Sequence, residues 1–299
     1  MPKTMRTIED PHAMQQWALA ERRAGKSIGF VPTMGALHEG HLSLVRRCRV
    51  ENDWCVVSIF VNPLQFGPGE DLDNYPRDVE RDTALLESES ADVVFLPTPQ
   101  TMYPPGFSMR VEEKALSKVL CGASRPGHFA GVTTVVLKLF NLVQPTRAYF
   151  GQKDAQQARI IRQMVRDLAV PVEIVVLPIV REPDGLAMSS RNAYLTPEQR
   201  AEAPVLFQAL DGARKLVDNG ERSADTLVRY IRERIGTTSA GAAAAAAEAA
   251  APAARIDYVS VVDFETLRDV SVIRGTVLIA VAAFFGTTRL IDNVIVKID

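Results

Sequence analysis

Short apolar and β-branched runs alternate with helical stretches through the first half of the chain and on to Val180. Ser27-Ile28-Gly29-Phe30-Val31 is a short apolar run closed by Pro32. Leu42, Val45 and Arg46 recur at helical spacing and predict a helix over 40–49. Residues 55–61 are almost wholly apolar or β-branched, the pattern of a strand buried on both faces. A helix is predicted over 77–89 and a strand over 93–96. Ala148-Tyr149-Phe150 then leads into a helical stretch over 155–168, and 173–180 reads as a further buried strand. Alternation of this kind predicts βαβ units, hence an α/β protein with a parallel sheet that binds ligands at the carboxyl ends of its strands.

The pattern changes after Asn192. Thr196-Pro197-Glu198-Gln199 carries the signals of a helix start: a threonine cap, proline at the first helical position and glutamine three residues after the cap. A second helix is predicted over 223–235, with Gly236 at its end. The alanine-rich tract 237–254 favours helix but has little to bury, so it reads as a mobile insert. Strands are predicted over 256–262, 277–285 and 294–298. The division expected is a first domain over 1–187 and a smaller α+β domain over 188–299.

Composition narrows the function classes. A net charge of -2 gives no whole-chain electrostatic reason to expect a nucleic acid or membrane partner. The longest apolar run, 277–285, is far shorter than the roughly 20 residues that span a bilayer. The polar start lacks the apolar stretch of a secretory signal. Cys48, Cys55 and Cys121 form no CxxC pair and read as small buried hydrophobes in a reducing compartment. A cytoplasmic protein with no protein-held metal is therefore expected.

Four constellations carry chemistry. In Pro32-Thr33-Met34-Gly35-Ala36-Leu37-His38-Glu39-Gly40-His41, a predicted strand turns into a predicted helix. The glycines allow a tight turn and close approach to a ligand. The helix N-terminus offers N–H groups and a positive dipole end suited to phosphate. The two imidazoles share one side and can donate to a developing phosphoryl charge. The alternatives are a metal-binding pair or simple capping histidines. A second loop, Arg181-Glu182-Pro183-Asp184-Gly185-Leu186-Ala187-Met188-Ser189-Ser190-Arg191-Asn192, supplies hydroxyls, amides and a guanidinium that can grip a polyphosphate. Alone it reads as solvated surface. In Phe150-Gly151-Gln152-Lys153-Asp154-Ala155-Gln156-Gln157, Lys153 adds a mobile positive charge, while Asp154 and Gln157 also fit an ordinary capping box. In Ser58-Ile59-Phe60-Val61-Asn62-Pro63-Leu64-Gln65-Phe66, a buried strand ends in amides that suit hydroxyls and a carboxylate, although Asn-Pro is also a common turn.

The paired His-x-Gly-His and Met-Ser-Ser-Arg sequences resemble the HIGH and KMSKS motifs of adenylate-forming enzymes. Together with 60–66, 73–77 (Asp73-Asn74-Tyr75-Pro76-Arg77), 125–129 (Arg125-Pro126-Gly127-His128-Phe129) and 151–157, they follow the order and spacing of the pantothenate synthetase (pantoate–β-alanine ligase) family. The resemblance covers 28–196.

Membership would imply a Rossmann-like first domain, a C-terminal lid and a homodimer. It would imply condensation of pantoate with β-alanine through a pantoyl-adenylate, with ATP as substrate, Mg²⁺ carried on the nucleotide, and AMP and pyrophosphate released. The ATP residues it implies are Met34, Gly35, Ala36, Leu37, His38, Glu39, Gly40, His41, Gly151, Gln152, Lys153, Asp154, Val180, Met188, Ser189, Ser190 and Arg191. Among these, His38, His41, Lys153 and Arg191 carry the catalytic roles. Gln65 and Gln157 are implied for pantoate with Asn62 beside them, and Gln65 also for β-alanine. The competing reading is an adenylyltransferase of cofactor biosynthesis, which also releases pyrophosphate but keeps the nucleotide in its product.

Overall fold

A computed structural model describes residues 5–245 and 254–298. The chain divides into two units. One holds the chain up to Lys118 together with Arg125–Gln152 and Gln157–Pro178. The other holds Val119–Ser124, Lys153–Gln156 and the chain from Ile179 onward.

In chain order the elements up to residue 177 are β1 (Arg6–Ile8), α1 (Pro11–Arg23), β2 (Ile28–Thr33), α2 (Glu39–Glu51), β3 (Trp54–Ile59), α3 (Val79–Ser88), β4 (Val93–Phe95), the short α4 (Pro99–Met102) and α5 (Cys121–Ser124), α6 (His128–Val143), β5 (Arg147–Gly151), α7 (Ala155–Asp167) and β6 (Glu173–Leu177). Six strands pair in parallel in the order β1-β4-β3-β2-β5-β6. The order reverses between β2 and β5, the switch point where a doubly wound sheet opens a crevice at its carboxyl ends. The expected Rossmann-like α/β class is what the sheet has.

Strand alternation sends neighbouring side chains to opposite faces. Phe30, Val56, Phe95 and Phe150 pack on one face with Met14 of α1, Phe140 of α6 and Ile161 of α7. Val31, Val57, Val94 and Tyr149 pack on the other with Val45 and Cys48 of α2 and Leu86 of α3. All three cysteines are free and buried, as expected. The strand expected over 173–180 stops at Leu177 and is half-buried rather than buried, because it lies at the sheet edge.

Three elements of this unit lie outside the sequence pattern. β1 is only three residues long. α1 begins at Asp10-Pro11, where the Asp10 side chain caps the Ala13 amide. α6 is buried on nearly every side, including Thr133, Thr134, Val135 and Val136, so it shows no amphipathic period. Packing there overrides the weak helix propensity of β-branched residues.

In the second unit α8 (Pro197–Glu202), α9 (Val205–Asp218) and α10 (Ala224–Ala245) precede the antiparallel sheet β7 (Arg255–Asp263), β8 (Gly275–Phe285) and β9 (Thr288–Ile298). α8 starts on the predicted Thr196–Gln199 capping box. Leu206, Leu210 and Ala213 of α9 and Leu227 and Ile231 of α10 pack on Val277, Ile279 and Val281 of β8. Two expectations are corrected. α10 does not end at Gly236 but continues to Ala245, so the first part of the alanine-rich tract is helix. Residues 246–253 of that tract lie outside the described residues. β9 begins at Thr288 rather than 294, joined to β8 through a two-residue turn, and its first half carries polar residues that mask the strand pattern.

Candidate active site

The first motif sits where β2 ends, beside the switch point. Thr33 Oγ1 donates to the Ser58 carbonyl at 2.8 Å and accepts from the Gly35 amide at 3.2 Å. The chain then turns through Gly35 at φ 85° and Ala36 at φ 50°. Left-handed backbone at a residue with a side chain costs about 1–2 kcal/mol, so something must hold it. The buried carboxylate of Asp82 does, accepting from the Ala36 amide at 2.7 Å and the Leu37 amide at 2.8 Å. Burial pushes the Asp82 carboxyl up, against the two amides that favour its charged form.

His38 is the cap of α2. Its Nδ1 accepts from the Gly40 amide at 3.2 Å, and Nδ1 of His41 accepts from the His38 amide at 3.4 Å. The ring centroids lie 4.1 Å apart. Because each Nδ1 accepts a backbone proton, the hydrogen-bond pattern assigns the proton of each neutral ring to Nε2. Capping and phosphate donation therefore use different nitrogens, and the two readings of these histidines are compatible.

The amide motif follows β3. Gln65 is nearly buried, and its Nε2 lies 3.0 Å from the Met34 sulfur, which brings the amide motif onto the first. Asn62 is fully buried. It donates to Gln65 Oε1 at 3.1 Å and to the Gly131 carbonyl at 3.2 Å, and accepts from Leu64 N at 3.2 Å and the Tyr103 hydroxyl at 2.8 Å. These bonds fix the Gln65 amide. Arg125 donates to His128 Nε2 at 3.1 Å, which leaves the His128 proton on Nδ1, 2.8 Å from the Gln65 carbonyl. Burial pushes the Glu70 carboxyl up, but its pairing with Arg125 outweighs this and holds it below the usual carboxylate range. Gln157 lies half-buried in the first turns of α7.

In the second unit, Lys153 Nζ lies 3.6 Å from Asp154 Oδ2, and the Lys153 carbonyl accepts from Asn293 Nδ2 at 3.0 Å. The 181–192 loop folds back on itself: Glu182 N bonds the Leu186 carbonyl and Met188 N the Val180 carbonyl. Arg200 pairs with both Glu182 and Asp184, and Asn192 donates to Glu182. Ser189 caps the 3-10 turn Ser190–Tyr194 that carries Ser190 and Arg191. Arg181 pairs with Asp292, whose carboxyl is pushed up by burial against the pull of that guanidinium.

Sequence reasoning missed Asp82, Gly131, Asp292 and Asn293. Asp82 was findable, since it stands one turn from Leu86 on a helix face otherwise apolar. Gly131 gave no signal. A Cβ there would lie 2.2 Å from the Leu64 carbonyl oxygen and 2.6 Å from the Gln65 amide, so only glycine lets α6 approach the Gln65 turn.

A doubly wound parallel sheet whose switch point carries a histidine-capped helix start places the chain in the Rossmann-like class. The family model for pantoate-beta-alanine ligase matches residues 6–295. Pantothenate synthetase of Thermotoga neapolitana is 57% identical over 97% of this chain and 99% of its own length, and that of Acetivibrio thermocellus 53% over 98% and 100%. The crystal structure of pantothenate synthetase from Thermus thermophilus superposes with a TM-score of 0.88 at 48% identity, covering 97% of this chain and 99% of the other. Pantoate-beta-alanine ligase from Francisella tularensis, complexed with beta-gamma ATP and beta-alanine, gives 0.77 at 33% identity, covering 97% of both chains. The chain belongs to the pantoate-beta-alanine ligase family.

Proposed function

We propose that the chain joins the carboxyl group of pantoate to the amine of β-alanine through a pantoyl-adenylate. The observation that carries this reading is the paired imidazole cap of His38 and His41 at the switch point, in a chain matched to the ligase family over 6–295. A pantoate carboxylate oxygen attacks the α-phosphorus of ATP, the bond to the bridging oxygen breaks, and pyrophosphate leaves. The β-alanine amine then attacks the acyl carbon. The amide bond forms, the bond to AMP breaks, and the surplus amine proton passes to phosphate or water.

ATP is assigned to 34–41, to Gly151, Gln152, Lys153 and Asp154, and to Val180, Met188, Ser189, Ser190 and Arg191. The Nε2–H groups of His38 and His41 donate to phosphate oxygens, and Lys153 and Arg191 offset charge on the departing pyrophosphate. Gln65 and Gln157 take the hydroxyls and carboxylate of pantoate, Asn62 aims Gln65, and Gln65 also meets β-alanine. Among the described residues no group of three or more His, Cys, Asp or Glu side chains is placed to hold a metal ion. Mg²⁺ is assigned to the nucleotide phosphates and water, its usual mode. A cytoplasmic homodimer is the proposed state. No helix among the described residues is long and apolar enough to cross a membrane.

Product analysis tests the reading. With ATP, pantoate and β-alanine, free AMP, pyrophosphate and the amide should form in equal amounts. A final product that keeps the nucleotide covalently attached would instead make the chain an adenylyltransferase.

A further inference from the structure

Two consecutive residues of β9 hold the two loops of the second unit to which ATP phosphates are assigned. Asn293 Nδ2 donates to the Lys153 carbonyl at 3.0 Å. Asp292 grips Arg181 with both oxygens, Oδ2 to Nη1 at 2.7 Å and Oδ1 to Nη2 at 3.0 Å. Arg181 in turn donates to the Gly185 carbonyl at 3.0 Å and lies with its guanidinium 4.2 Å from the centre of the Phe207 ring. The loop so held runs directly into Met188, Ser189, Ser190 and Arg191.

Asp292 and Asn293 are only 3% and 4% exposed. Two adjacent polar side chains buried in a strand are unfavourable unless their hydrogen bonds are satisfied. Here they are satisfied by the backbone of one loop and by the arginine that shapes the other. Asp292 Oδ1 also accepts the Asn293 amide at 2.7 Å, which joins the two grips. A plain core strand needs neither side chain.

We infer that Asn293 is a positioning residue for Lys153, and that with Asp292 it makes β9 a common strut setting Lys153 relative to the 188–191 loop. The inference rests on the reading of Lys153 and Arg191 as ATP ligands. Asn293 touches no reacting atom in this account. It acts through the backbone of Lys153, where a displacement of about 1 Å is enough to cost a large factor in rate.

The test is a double-mutant cycle on pre-steady-state adenylate formation. Wild type is assayed first with ATP and pantoate. If it forms no adenylate, the ligase reading fails and takes this inference with it. If it does, Asn293→Ala should lower kcat/KM for ATP about tenfold and leave the KM for pantoate unchanged. In a Lys153→Ala background the same change should cost less than about twofold, because the residue it positions is gone. Asn293→Leu, close in volume and without the donor, carries the same test should the alanine variant fail to fold. Wild-type ATP kinetics in either variant would overturn the inference while leaving the ligase reading standing. So would an undiminished loss in the Lys153→Ala background, or equal losses for ATP and pantoate.

Discussion

Nδ1 of His41 accepts the backbone N–H of His38 at 3.4 Å, so the residue assigned to the phosphate also closes the cap of its own helix. The two roles separate by substitution. His41→Ala should lower adenylate formation at least about 100-fold, the scale of a lost charge-stabilising donor. Its effect on stability should be that of a lost cap, about 1 kcal/mol. Glutamine at this position completes a capping box. His41→Gln should therefore regain the stability but not the rate. Recovery of both by glutamine, measured by single-turnover kinetics and denaturant unfolding, would reduce His41 to a capping residue.

Asp82 holds the backbone that presents those histidines. In Asp82→Asn one acceptor oxygen becomes an amide NH₂, so either the Ala36 or the Leu37 N–H faces a donor inside the protein. A buried unsatisfied group costs about 1–3 kcal/mol. The expected outcome is a stability loss of that size together with weaker ATP binding by calorimetry. Unchanged ATP affinity in a variant with the predicted stability loss would show that the turn does not shape the nucleotide site.

Gly131 tests the pantoate side. Its absent Cβ is what lets α6 meet the backbone of Leu64 and Gln65. Gly131→Ala must push that backbone away, at about 1–3 kcal/mol for an overpacked contact. Pantoate binding should weaken while ATP binding stays near wild type. Tighter or unaltered pantoate binding would remove Gln65 from the pantoate site.

Asp53 supplies a pH signature away from the site. Its carboxylate accepts from the Ser27 amide at 2.9 Å, the Ser27 hydroxyl at 2.7 Å and Lys26 Nζ at 3.2 Å, joining the entrance of β2 to that of β3. These bonds, that from the Ser27 amide foremost, lower its pKa from 3.8 to about 2. A carboxyl whose folded pKa is depressed stabilises the fold fully above its unfolded value and loses that contribution as pH falls through the folded one. The melting temperature of Asp53→Asn should therefore lie below wild type at neutral pH, and the gap should narrow from pH 3.8 towards about 2. A gap that stays constant on acidification would contradict the assignment.

The parallel sheet was legible because its central strands are buried on both faces and therefore read as continuous apolar runs. The motif turns were legible because glycine, histidine and amides occur there without an apolar reason. α6 was not, because a helix buried all round has no period and its Thr133-Thr134-Val135-Val136 run argues for a strand. β9 was half legible, since Asp292 and Asn293 break its alternation for the sake of the loops they hold. Those contacts join residues 111 and 140 positions apart, and no local pattern encodes them. The end of α10 was misread because Gly236 has the character of a helix stop, yet the alanines after it continue the helix.

The central claim is that pantoate is activated as an adenylate before β-alanine reacts. Exchange of labelled pyrophosphate into ATP, in the presence of pantoate and the absence of β-alanine, measures that step directly. Exchange should require pantoate, proceed without β-alanine and be lost in His41→Ala. Exchange that appears only when β-alanine is present would contradict it.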